Sequence, residues 1–195
     1  MKLLAFLAAL PLISAFQTEQ VPLNDPAAMS NDDYTPQLAK GGPSLADLLT
    51  ITPSVSIFYS YARELQLSAM FADPSRQLTL FAPTNKAVVS LPRKPHEDPK
   101  IREGVITEQE YDTRSKHNIE RWVEAHIIPT SDLDLTPGKT VETMLSGKSI
   151  TFEKLDQPGN EDWQRVSLED DVKVIEKKQG SNGVLYIIDG TVSPN

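Results

Sequence analysis

An α+β domain is predicted by three features of the 195-residue sequence. Apolar residues recur at helical spacing between Ser44 and Phe71, they alternate at a period of two from Thr140 onward, and the two regimes meet in one stretch, Gln77 to Leu91, QLTLFAPTNKAVVSL. Helical and strand patterns that occupy separate stretches of the chain, instead of alternating regularly, mark this class. With 39% hydrophobic residues the chain can build one core, and with no cysteine it must hold that core without disulfides.

Met1 to Ala15 reads as a secretory signal peptide: Lys2, the apolar run Leu3 to Ile13, then Ser14-Ala15. The run is far short of the roughly 20 residues that span a bilayer, and no polar face interrupts it as a buried helix would require. Cleavage after Ala15 leaves 180 residues (195 minus 15), and loss of Lys2 takes the formal charge from -8 to -9. That charge disfavours nucleic acid and anionic lipid as partners. Residues 16–43 carry Pro22, Pro26, Pro36, Pro43 and the pair Gly41-Gly42 without any period, the composition of a flexible leader. No Asn-x-Ser/Thr sequon occurs, and Asp189 to Asn195 has no apolar tail of the kind a lipid anchor needs.

The folded domain is expected over 44–195. Ser44-x-x-Asp47 has the spacing of a capping box, with Leu45, Leu48 and Leu49 on the buried edge of a short helix. Pro53 suits a first helical position, and Ile57, Phe58, Tyr61, Ala62 and Leu65 then fall on one face, as core packing rather than a ligand site. Leu78 to Ala82 is a strand apolar on both faces, ended by Pro83. Thr84 is placed to cap a following helix that buries Val88 and Leu91.

Pro92 to His117 carries three prolines and balances six basic against six acidic residues, so it is expected as a polar surface excursion with a helical turn near Thr107 to Thr113. His96-Glu97-Asp98 within it supplies metal-ligand types without metal-ligand spacing, and no metal is expected. Ser115 or Asn118 is positioned to cap the next helix, on which Ile119, Trp122, Val123 and His126 share one face. Beyond it, Val141, Met144, Ile150, Phe152, Val166, Leu168, Val172, Val174 and Ile175 mark short strands. These are parted by turns at Ser146-Gly147, Gln157 to Asn160 and Gln179 to Asn182. The acidic residues Glu161, Asp162, Glu169, Asp170 and Asp171 lack the pattern of a calcium loop and suit a solvated sheet edge. Val184 to Ile188 closes the domain as its last strand.

Two passages carry a family resemblance. FAPTNKAV, Phe81 to Val88, resembles the first signature of the fasciclin domain, and NGVLYIIDGTVSP, Asn182 to Pro194, resembles the second. Between them His126, followed by Ile127-Ile128-Pro129, is similar to the family's central histidine at a helix end before a strand. The resemblance covers Ser44 to Pro194, and the single-domain length and the SLPRKPHEDP wording look most like small fungal fasciclin-type proteins. The chain departs from the family in having Ala125 where a tyrosine usually precedes the histidine. It also has Lys86 and Val88 in place of an acidic residue and a phenylalanine.

The resemblance implies a fasciclin-type wedge: a twisted, mainly antiparallel β-sandwich with N-terminal helices packed on one side. Its motif residues here are Phe81, Pro83, Thr84, Asn85, His126, Gly183, Ile187 and Asp189, expected to be structural. It further implies a noncatalytic binding module for adhesion or cell-wall and matrix contact, with no catalytic residue, cofactor or metal. The expected partner is a protein or polysaccharide of the cell surface or vacuole, and the expected location is the cell exterior, cell wall or vacuolar lumen. The short Asp-Ile and Tyr-His elements by which animal relatives bind integrins are not matched. The absence of G-x-S-x-G, a phosphate loop and H-E-x-x-H agrees with a binding role. The competing expectation is a hydrolase or small-ligand protein with a pocket around His126.

Overall fold

The computed structural model describes residues 41–98, 107–156 and 159–194. The expected signal peptide at 1–15 and the leader as far as residue 40 lie outside the described residues, as do Ile101, Val105 and Ile106 and the turn residues Gln157 and Pro158.

Helix α1 (Leu45–Thr50) opens on the capping box that the spacing predicts: Asp47 N–H donates to Ser44 Oγ, and the Asp47 carboxylate accepts from Ser44 N–H at 2.9 Å. Pro53 starts a single 3-10 turn (Pro53–Val55) that leads into α2 (Ser56–Ala62), and Val55, Phe58 and Ala62 are buried. A second 3-10 segment (Gln66–Phe71) buries Phe71. Strand β1 (Leu78–Pro83) is buried along its whole length, and Thr84 then caps α3 (Asn85–Ser90), accepting from Ala87 N–H at 3.2 Å.

The next helix begins earlier than expected. Helix α4 (Glu108–Glu124) is capped by Thr107, not by Ser115 or Asn118. Thr107 and Glu110 form a reciprocal capping box that fixes the start about two turns upstream, so the last ten residues of the 92–117 excursion are helical. Short strands follow: β2 (Ile127–Ile128), β3 (Thr140–Glu142), β4 (Ser149–Thr151), β5 (Glu153–Lys154) and β6 (Val166–Leu168). The long pair β7 (Val172–Gly180) and β8 (Gly183–Ile188) completes the domain.

Among the described residues the main sheet has the order β2-β1-β8-β7-β6-β5, and β3 pairs with β4 in a separate ribbon. All neighbours are antiparallel except β1 and β8, which run parallel from Leu78↔Gly183 to Pro83↔Ile188. Parallel strands of this kind are covered on both faces. On one face Leu80, Ala82, Leu185 and Ile187 pack with Leu45, Phe58 and Val123 from the helices. On the other, Phe81, Val184, Tyr186 and Ile188 pack with Ile150, Phe152, Val166 and Leu168. This is the α+β fasciclin arrangement, mainly antiparallel with the helices to one side.

One core assignment needs correction. The register of β7 against β8 shifts between Val174 and Glu176, and Ile175 is 51% exposed instead of buried. Val172 and Val174 are the buried positions of β7, so alternation turns Ile175, between Val174 and the bulge, to the opposite and exposed side.

Candidate functional site

His126 follows α4 directly. The last carbonyls of a helix have no partner within it, and one of them, Trp122 O, accepts from His126 Nδ1–H at 2.7 Å. On the other side of the ring Val192 N–H donates to Nε2 at 3.0 Å. A carbonyl only accepts and an amide N–H only donates, so the ring is the neutral tautomer with its proton on Nδ1. The residue is fully buried, with the Trp122 ring at 4.8 Å and the Phe58 ring at 5.6 Å. Burial pushes its pKa down to about 4. The bond to Trp122 opposes that shift, and the Lys148 charge adds to it. Neither nitrogen is left to take a proton from a substrate or to bind a metal.

The remaining motif residues are spread along the central strands rather than gathered with His126. Phe81 stacks on Tyr186 at 5.4 Å and leans on Phe152, and its N–H donates to His126 O at 2.9 Å. Pro83 faces Ile188 at the strand end, and Ile187 lies beside Ala82 on the opposite face from Phe81. Thr84 N–H donates to Ile188 O. Asn85 joins α3 to the preceding helices: its Oδ1 accepts from Ile57 N–H at 2.9 Å, and its Nδ2 donates to Pro53 O and Ser56 Oγ. Asp189 Oδ1 accepts from Lys173 N–H at 2.7 Å. Gly183 sits at positive φ against the Leu78 carbonyl, where any Cβ would collide.

Two features escape the sequence. Asn182, legible there only as a turn residue, is fully buried. Its Oδ1 accepts from Leu45 N–H at 2.8 Å and its Nδ2 donates to Phe71 O and Asp73 O, so one side chain ties the helices to the β7–β8 turn. Asn-Gly pairs signal a turn, and nothing local distinguishes one that is also buried. The second feature is a groove of about 350 Å³ between residues 91–97, α4 and residues 191–194, into which Trp122 and Val192 also face. Among the described lining residues Arg93, Lys94 and Arg121 outnumber one carboxylate, Glu97, so this lining is positive in a net negative chain. Lys94 Nζ also closes the end of α3 on Val89 O and Leu91 O, and Arg121 Nη2 holds Pro194 O at 3.1 Å.

His96, Glu97 and Asp98 do not converge. His96 Nδ1 meets Tyr61 Oη at 3.2 Å, Glu97 accepts from Lys94 N–H, and Asp98 faces Arg114. Among the described residues no group of three or more His, Asp or Glu side chains is placed to hold a metal, and no helix is long and apolar enough to cross a membrane.

The fasciclin domain model matches residues 53–194. The chain therefore belongs to the fasciclin domain family. It is 31% identical over 179 residues to a FAS1 domain-containing protein of Emericella nidulans, covering 86% of this chain and 70% of that one. It is 37% identical over 128 residues to another of Aspergillus fumigatus, covering 60% and 54%, so it spans about half of that relative's length. A FAS1 domain-containing protein of Saccharomyces cerevisiae is 28% identical over 91% of this chain and 72% of its own. Among solved structures, a FAS1 domain pair from the insect cell adhesion molecule Fasciclin I shares the fold, with a TM-score of 0.53 and 13% identity. That match covers 77% of this chain and 51% of the pair.

Proposed function

We propose that this chain is a noncatalytic binding module of the secretory pathway, acting in cell adhesion or in contact with the cell wall or matrix. One observation carries the reading. His126, the residue best suited by type to general-base work, spends both ring nitrogens on main-chain groups and never reaches the surface. A general base must lie within hydrogen-bond reach of the proton it removes, which this ring does not. The eight motif residues act as joints of the fold, and what remains for a partner is surface, foremost the positive groove beside Trp122 and Val192. The insect neighbour's origin in a cell adhesion molecule agrees with this role. A secretory location, at the cell exterior, in the wall or in the vacuolar lumen, follows from the apolar run at Leu3 to Ile13.

Affinity capture from cell-surface and vacuolar material tests the reading, with the Arg93→Glu/Arg121→Glu variant beside the unmodified chain. A partner retained by the unmodified chain and lost from the folded variant is expected. Capture that the double reversal leaves unchanged would remove the groove from the contact. Turnover of an ester, glycoside or peptide that disappears in a stably folded His126→Gln protein would overturn the noncatalytic reading. N-terminal sequencing of the native material should begin near Phe16, and an intact Met1 in a cytosolic fraction would contradict the secretory location.

A further inference from the structure

A second cleft, of about 530 Å³, opens on the opposite core, where the 3-10 turn Asp162–Gln164 and residues 133–137 overhang β7 and β8. Its apolar floor comes from Trp163, Tyr186, Leu133 and Leu135. Tyr186 is only 4% exposed, yet its hydroxyl has no hydrogen-bond partner among the described residues, where no fully buried polar side-chain atom lacks one. The hydroxyl is therefore the part of the residue that reaches the cleft. The Trp163 indole N–H is likewise without a partner among the described residues. Tyr186 is buried in all but that tip, and Trp163 is half-buried beside it, so the cleft offers an apolar floor with two polar tips open to a ligand.

The charge around the cleft selects the ligand's class. Three cations, Lys154, Arg165 and Lys177, stand against three carboxylates, Asp134, Glu161 and Asp162. The rim is thus neutral overall and rich in both donors and acceptors, unlike the positive groove near His126. A polyanion or polycation would meet like charge on half of this rim. A neutral molecule with hydroxyl groups along its edges and C–H faces above and below would meet complementary groups throughout. The Trp163 ring takes a C–H face, while the charged rim and the two open tips take the hydroxyls. Lys177 Nζ already lies 5.8 Å from the centre of the Tyr186 ring, which fixes that ring at the floor. We infer that this cleft binds a neutral oligosaccharide, with Trp163 as the stacking platform and the Tyr186 hydroxyl as a specificity contact. The inference rests on the binding-module reading and names the ligand class for a site apart from the positive groove.

Intrinsic fluorescence reports directly on the proposal, because the chain has two tryptophans and the other, Trp122, is buried in the helical core. The full chain is titrated with cellohexaose, laminarihexaose and maltohexaose as neutral probes and with an oligogalacturonate of similar length as the charged one. Binding is measured in parallel by calorimetry. Saturable binding of at least one neutral probe is expected, with a Trp163 signal, lost in Trp163→Ala and weakened about three- to tenfold in Tyr186→Phe, as for one hydrogen bond removed. Tyr186→Phe keeps the ring and so separates loss of the contact from loss of the fold. No neutral probe bound at millimolar concentration, binding that survives Trp163→Ala, or preference for the oligogalacturonate would each overturn the inference. If the probes fail while the chain still captures a cell-surface partner, the cleft assignment falls and the binding-module reading stands. If a probe is bound and cleaved, the noncatalytic reading falls instead.

Discussion

His126 joins main-chain groups from two distant parts of the chain, Trp122 O one helical turn behind it and Val192 N–H in the segment after β8. Its helix spacing with Ile119, Trp122 and Val123 reveals that it faces inward, but the second partner lies 66 residues away and no local pattern encodes it. His126→Ala should lower stability by about 1 to 3 kcal/mol, read from denaturant midpoints, because it strands a buried N–H and a buried carbonyl. The pH dependence has a definite sign. The folded pKa of about 4 lies below the usual 6.5, so between those values the unfolded chain takes up a proton that the folded chain refuses. Stability should be fully present above about pH 6.5 and fall by about 3 kcal/mol as pH drops to 4. Urea midpoints across that range should lose most of this slope in His126→Gln. Asn182→Ala should cost about 2 to 4 kcal/mol, since it leaves Leu45 N–H and the Phe71 and Asp73 carbonyls without their side-chain partner. A loss within experimental error would show that water replaces the amide.

At the scale of elements, caps and strand periods were readable where the signal is local. Ser44-x-x-Asp47 and Thr84 each close a helix start as their side-chain chemistry dictates. Thr107-x-x-Glu110 is as good a box as either, but it sits among prolines and balanced charges, and the apolar stripe that usually announces a helix starts only at Ile119. The first three turns of α4 are largely solvated, so periodicity is silent there while capping chemistry is not. Thr107→Ala should destabilise by about 1 kcal/mol and shorten the helix from that end, seen as lost amide protection in the first turns alone. The exposed Ile175 has a different cause. Alternation buries Val172 and Val174 and so turns Ile175 outward; only its apolar side chain argued for burial.

Across the whole molecule the two signatures lie side by side, β1 against β8, with a core on each face of the pair. The sequence revealed Leu78 to Ala82 as a strand apolar on both faces and Val184 to Ile188 as the last strand, and the family resemblance supplied the arrangement. Neither the positive groove nor the aromatic cleft was legible, because each is assembled from segments that meet only after folding. Phe81→Ala and Ile187→Ala empty opposite faces of the pair, and each should cost roughly 3 kcal/mol. Because the two side chains belong to different clusters, their effects should add to within about 0.5 kcal/mol in the double variant. Strong coupling would mean that the two cores behave as one.

The partner strand of β1 leaves the ribosome long after β1 itself. Leu78 pairs with Gly183, 105 positions later (183 minus 78), so at synthesis rates of about 5 to 20 residues per second β1 waits on the order of 5 to 20 s for its neighbour. During that interval a strand apolar but for Thr79 has one antiparallel contact at most, with the two residues of β2, and its other edge is open. The nascent chain should therefore depend on chaperones until residue 188 is out. A chain ending at Ser181 should stay protease-sensitive and aggregate, whereas one extended through Pro194 should fold within seconds of release.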